Sequence, residues 1–250
     1  YVVLFRLRYK LDAAALLMLL HLFSCCKYTE KFVKVGNIIY LCNKLLGMKL
    51  VVMTKSTYFV EEDKILTALF EEGLENLHIS KTDGTAIYLE RLLSLIPKTY
   101  HKHITIHQHY YLKAEKQLAG IHLDTETAVP PIGYKGQIGR TCRNSMRLKE
   151  MRKSSDYVFL DNIYDDKHNV ATDEHKFSSL ELTELKNQGF LGKRVYAMGG
   201  ISLEHIPDIK QYGFGGIVVG KEFWKHFDVY NDINYKGIIK YFYNLQKAIE

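Results

Sequence analysis

From residue 48 onward, short β-type runs alternate with segments of helical periodicity. The runs occupy residues 50–54, 76–80, 103–107, 120–123, 137–142, 157–161, 194–198 and 215–220. Eight is the number of strands that closes a parallel barrel. Between them lie stripes such as "AIYLERLLSLI", in which Ile87, Leu89, Leu92, Leu93 and Ile96 recur at helical spacing and predict one buried face. "SLELTELKNQG" and "LEHIPDIKQYG" carry similar stripes and stop on Gly189 and Gly213, and "IIKYFYNLQKAI" would complete an outer ring. An unbroken βα alternation leaves two architectures, an open doubly wound sheet or a closed barrel. No GxGxxG follows the first run, whereas glycine-bearing turns follow the last two. The expectation is a single TIM (β/α)8 barrel over residues 48–250. The longest candidate loop is "IYDDKHNVATDEHK", after the sixth run.

Residues 1–47 do not share this patterning. Arg6, Arg8 and Lys10 precede an apolar run from Ala13 to Phe23, too short to span a bilayer and close to signal-peptide length. The expectation for 1–47 is upstream read-through or a poorly structured, partly helical extension, with a targeting segment as the alternative. Cys25, Cys26, Cys42 and Cys142 form neither a zinc spacing nor a disulfide framework, which suits a reducing, cytoplasmic setting. The net charge of +6 is carried by lysines scattered among acids, without an RNA-binding signature. A nucleic-acid partner is therefore not expected, nor is a membrane for residues 48–250.

In parallel barrels the reacting groups lie at the C-terminal strand ends, and phosphate is often held after strands seven and eight. Gly199 and Gly200, followed by Ser202 as a helix N-cap, fall at the first place; Gly220 and Lys221 fall at the second. Glycine backbone approaches an anion closely, a helix N-terminus adds partial positive charge and Lys221 a full one. Strand alternation places His78 with Ser80, Thr105 with His107 and Gly120 with His122 on inner faces. Three imidazoles would then converge, as hydrogen-bonded barrel residues or, less in keeping with the lack of a spacing signature or nearby carboxylate, as a metal site. His101, His103 and His109 read as surface or barrel-floor groups. Asp161, Asp165 and Asp166 after the sixth run are solvated acids or a base, and Cys142 reads as buried and inert.

In that order, "LHISKTD", "AGIHL", "IGRTCRN", "DYVFLDNIYD", "YAMGGIS" and "GFGGIVVGKEFW" resemble the thiamine phosphate synthase and TenI family, with the tryptophan of a divergent branch. The resemblance implies a barrel enzyme of thiamine biosynthesis that joins an aminopyrimidine diphosphate to a thiazole phosphate. Mg²⁺ would sit on the diphosphate. Gly199, Gly200, Val219 and Gly220 match the family's phosphate loops, with Lys221 adjacent.

Other positions depart from the family. Its Gln-x-Arg-x-Lys after strand two falls on His78, Ser80 and Thr82, with Lys81 displaced by one. Its Asn-Asp pair falls on His107 and Gln108, its second magnesium aspartate on Thr127 beside Glu126, and its serine on Thr141. Asp166, His168 and Asn169 stand where diphosphate-binding threonines and a lysine are usual, and Arg143 stands where the TenI tautomerase has a histidine. The candidate catalytic groups are thus His78, His107, His122 and Thr141, and the candidate substrate contacts Ser80, Lys81, Gln108, Arg143 and Asp166. A TenI-like thiazole tautomerase and a non-catalytic binder of a phosphorylated ligand are the alternatives to the coupling enzyme. Family members are often oligomeric, so the resemblance allows a homodimer.

Overall fold

The structure is a computed structural model describing residues 47–82, 84–165, 176–227 and 235–250. The expectation for the N-terminal segment and the candidate contact Asp166 fall outside these residues. Eight strands, β1 (Lys49–Met53), β2 (Leu77–Ile79), β3 (Ile104–Ile106), β4 (Gly120–Leu123), β5 (Gln137–Cys142), β6 (Tyr157–Leu160), β7 (Val195–Ala197) and β8 (Gly216–Val219), pair in chain order. All pairs are parallel, and β8 returns to β1 to close the barrel.

Around it lie α1 (Glu62–Glu71), α2 (Ala86–Leu95), α3 (Leu112–Glu115), α4 (Ser145–Ser154), α5 (Ser179–Asn187), α6 (Ile206–Tyr212), α7 (Lys221–Trp224) and α8 (Lys236–Ile249). In α8, Ile238, Tyr241, Phe242, Leu245 and Ile249 form the buried stripe that sequence periodicity predicts. α5 opens on a reciprocal Ser178/Glu181 capping box. The "LEHIPDIKQYG" segment divides into a 3₁₀ turn (Leu203–His205) and α6, because Pro207 has no N–H to extend an earlier helix and fits only a first turn.

One alternation fails. No helix joins β4 to β5; residues 124–136 cross the barrel wall as a loop, because Pro130 and Pro131 remove two donors and Gly133 and Gly136 take positive φ. Among the described residues no helix is long and apolar enough to cross a membrane.

The barrel interior is aromatic and polar. Val51, Tyr157, Phe159, Tyr196 and Val218 form its apolar cluster, and His78, Thr105, His107, His122 and Thr141 are buried on the remaining strands. Three of the rings are accommodated by a glycine on the paired strand: Gly139 is opposite both His122 and Tyr157, and Gly216 is opposite Tyr196. A Cβ on Gly139 would come within 2.4 Å of both His122 Nδ1 and the Tyr157 ring. Gly139→Ala is expected to destabilise the fold by about 1–3 kcal/mol through overpacking; urea unfolding checks this, and an unchanged midpoint would show that the interior is loosely packed.

Candidate functional site

At the C-terminal end of the barrel, β7 runs into Gly199 and Gly200, with φ of 95° and 67°. These glycines are required twice over. Their φ is left-handed, and a Cβ would lie 2.7 Å from Asn162 N at Gly199 and 2.9 Å from Asp165 N at Gly200. The loop after β6 therefore lies directly on this turn, joined by Ile163 N donating to Met198 O (3.0 Å) and Tyr164 N to Gly199 O (2.9 Å). Ser202 caps the 3₁₀ turn with His205 rather than α6 itself, its hydroxyl lying 3.0 Å from His205 Nδ1.

Gly220 differs from both. Its φ is −138°, it precedes α7, and the nearest atom to a built Cβ is Met53 Cβ at 3.6 Å. Packing does not demand glycine there. Val219 is buried in β8 and Lys221 is exposed. Trp224 Nε1 donates to Met53 O (2.8 Å) and pins α7 to β1.

The opposite rim, after β4, β5 and β6, is a charge network. Arg143 Nε donates to Asp161 Oδ2 (3.1 Å) and its Nη1 to Asp124 O (3.0 Å). Glu126 Oε1 accepts from the backbone N–H groups of Arg143 (3.1 Å) and Asn144 (3.2 Å), and its Oε2 from Arg147 (3.1 Å). Asn144 in turn caps α4. Arg143 is thereby engaged on both neighbouring strand ends. Gln108 Oε1 accepts from Lys81 N (3.2 Å), and Ser80 exchanges hydrogen bonds with Thr54.

Lys81 is directed elsewhere. Its Nζ lies 2.5 Å from Glu62 Oε1 with both side chains buried, donates to Thr57 O (3.1 Å), and sits 4.6 Å from the Tyr58 ring centre. Burial pushes the Glu62 carboxyl up and the Lys81 ammonium down despite their mutual attraction. Thr127 is exposed in the loop. Burial raises the Cys142 thiol to about 12, as its inert reading requires. His101 and His109 are held by backbone carbonyls, the latter by Gly84 O at 2.9 Å.

The three predicted barrel imidazoles do converge. His78 Nδ1 lies 2.9 Å from His107 Nε2, His107 Nδ1 lies 2.5 Å from Asp124 Oδ1, and Tyr157 Oη lies 3.2 Å from His78 Nε2. His122 Nε2 lies 2.9 Å from Thr141 Oγ1. One potential ligand atom from each histidine falls within 4.8 Å of the others. However, His122 stacks between His107 (4.5 Å, 21°) and Phe159 (4.4 Å, 28°). Stacked rings aim their in-plane lone pairs along parallel lines, so His107 and His122 do not converge on one ion as a tetrahedral site needs. Burial holds His78 and His122 well below the ordinary histidine value.

Asp124 is the residue that sequence reasoning missed. It directly follows the quoted "AGIHL", its side chain is 41% exposed, and it is the nearby carboxylate whose absence from the sequence reading weighed against a metal site. Extending the β4 alternation by one more pair, from His122 to Asp124, was the available signal.

No family model and no curated protein matches the chain. Among solved structures, a thiamine phosphate pyrophosphorylase from Bacteroides thetaiotaomicron is 41% identical, with a TM-score of 0.71, over 80% of this chain and 97% of that one. A thiamine phosphate pyrophosphorylase from Pyrococcus furiosus is 16% identical (TM-score 0.62; 81% and 95% covered). A tryptophan synthase α-subunit from Pyrococcus furiosus is 15% identical (TM-score 0.52; 80% and 98% covered). These last two share the fold.

Two outcomes follow from the buried charges and imidazoles. Lys81→Met, which strands Glu62, is expected to cost about 3–5 kcal/mol at neutral pH, whereas the Glu62→Leu/Lys81→Met pair should cost far less; a double-mutant cycle in urea checks this. His78 and His122 have folded values below the unfolded value of 6.5. Their contribution to stability is thus present above about pH 6.5 and lost as pH falls, at up to about 1.4 kcal/mol per pH unit for each. The pH dependence of unfolding should become shallower in His78→Gln; an unchanged slope would mean that His78 takes up its proton within the fold.

Proposed function

The chain belongs to the thiamine phosphate pyrophosphorylase family, and on that premise we propose that it is a cytoplasmic enzyme acting on a thiazole-type phosphate precursor of thiamine at the C-terminal mouth of the barrel. The leading reaction is coupling of an aminopyrimidine diphosphate to that thiazole phosphate, with loss of pyrophosphate. The observation that carries this reading is the 41% identity maintained across 97% of a thiamine phosphate pyrophosphorylase. Gly199, Gly200, Val219 and Gly220 would take the thiazole phosphate on backbone groups, with Lys221 supplying a full charge. Gly220 supports this assignment, since a glycine with open space beside it suits a close approach of ligand.

Mg²⁺, which the family implies, is not matched by the described residues. Magnesium is normally bound through one or two carboxylates together with phosphate oxygens. Three carboxylates of the mouth are already engaged: Asp124 with His107, Asp161 with Arg143, and Glu126 with the start of α4.

The pairing of Asp124 with His107 favours a second reading, a metal-independent proton transfer on the same thiazole phosphate, of the tautomerase type.

Purified protein incubated with both precursors is expected to form thiamine phosphate, and calorimetry is expected to show thiazole phosphate binding that weakens about tenfold, or about 1.4 kcal/mol, in Gly220→Ala. A rearranged thiazole phosphate formed equally in EDTA would establish the second reading instead. Binding that Gly220→Ala leaves intact would refute the phosphate cradle.

A further inference from the structure

The hydrogen bonds along the barrel axis have a direction. An ionised carboxylate can only accept, so Asp124 Oδ1 takes its hydrogen bond from His107 Nδ1–H. In a neutral ring Nε2 is then the acceptor, so His78 Nδ1–H donates to it. His78 Nε2 is left as an acceptor, and the Tyr157 hydroxyl donates to it. The polarity of every bond follows from one charge, that of Asp124.

The two ends of this line lie at opposite ends of the barrel. Asp124 follows β4 at the C-terminal mouth. His78, Thr105 and Tyr157 border a cavity of about 340 Å³ whose other walls include Lys49, Asn76 and Gln137, at the N-terminal strand ends. The side chain of His107 is 1% exposed, so it meets solvent through neither end. Asp124 is the member of the line that a substrate in the mouth can touch.

We propose that Asp124 is the proton-handling group of the mouth, and that His107 and His78 are its positioning residues on a polarised line reaching the N-terminal cavity. This rests on the proton-transfer reading above. The carboxylate takes a proton from a substrate carbon: the C–H bond breaks, an O–H bond forms and the electron pair stays on the substrate. Return of that proton to a different substrate carbon restores the carboxylate, so no net proton is consumed. The line prepares Asp124 for this by holding its Oδ1 in a fixed orientation through an imidazole that is itself held from behind.

The line is tested without substrate by ¹⁵N NMR of histidine-labelled protein. Both His78 and His107 are expected as Nδ1–H tautomers. Asp124→Leu should convert both to Nε2–H, because His107 then donates to His78 and His78 to Tyr157. Tyr157→Phe should leave both unchanged, since polarity is set from the mouth. Nε2–H tautomers in the unaltered protein, a doubly protonated His107, or a His78 signal indifferent to Asp124→Leu would overturn the line. So would shifts of all three buried rings on adding Zn²⁺, which would make the cluster a metal site.

Turnover of thiazole phosphate tests the catalytic role. Asp124→Asn is expected to lower kcat by about 10²–10⁴, with KM changed less than about threefold. His107→Gln should lower kcat and displace the acidic limb of the pH profile. Full activity in Asp124→Asn would remove the catalytic assignment. Absence of turnover in the unaltered protein would refute the reaction while the tautomers still decide the line.

Discussion

A closed barrel gives the polar groups inside it no partners but one another. That constraint governs this protein more than any surface feature. Three imidazoles, a phenol and two threonine hydroxyls share an interior packed with Phe159, Tyr196, Val51 and Val218. Each unpaired polar atom there costs on the order of 1–3 kcal/mol. The side chains are accordingly joined end to end, and His122 Nδ1 is the ring nitrogen without a hydrogen-bond partner, turned toward Gly139. The glycines of β5 and β8 belong to the same solution, because a barrel filled with rings can close only where the neighbouring strand has no side chain.

The same economy operates at the mouth. Glu126 joins the β4–β5 loop to the beginning of α4, and Arg143 bridges the ends of β4 and β6. With the helix between β4 and β5 replaced by a loop, these ionic contacts stand where helix packing would otherwise fix the strand ends. Asp124, at the same rim, is held by His107.

The fold was legible because periodicity reports burial, and burial is a property of each element alone. All eight strands fall within or overlap the predicted runs, and Leu89, Leu92 and Leu93 of α2 are buried as the spacing placed them, whereas Ile87, which the spacing put on the same face, is exposed because it lies in the first turn beyond the reach of the core. The missing β4–β5 helix was legible too, in Pro130 and Pro131, but an expected alternation outweighed it. The site was legible in part. Inner-face alternation brought His78, His107 and His122 together correctly, but it could not show whether three imidazoles would aim at one point or stack. That depends on ring torsions set by Phe159 and Gly139 from other strands. Lys81 illustrates the same limit, because its turn toward Glu62 is decided by a helix nineteen residues upstream.

The three glycines of the mouth are unequal in what they owe to the fold. Gly199 and Gly200 would obstruct the β6 loop if replaced, so any lineage that keeps the barrel keeps them, whatever it binds. Gly220 is different: its surroundings leave room for a methyl group. Packing sets no bar to a side chain at that position. Among relatives, Gly220 is therefore the position whose persistence records continued use of the ligand, and whose replacement would mark a barrel that has survived its original chemistry.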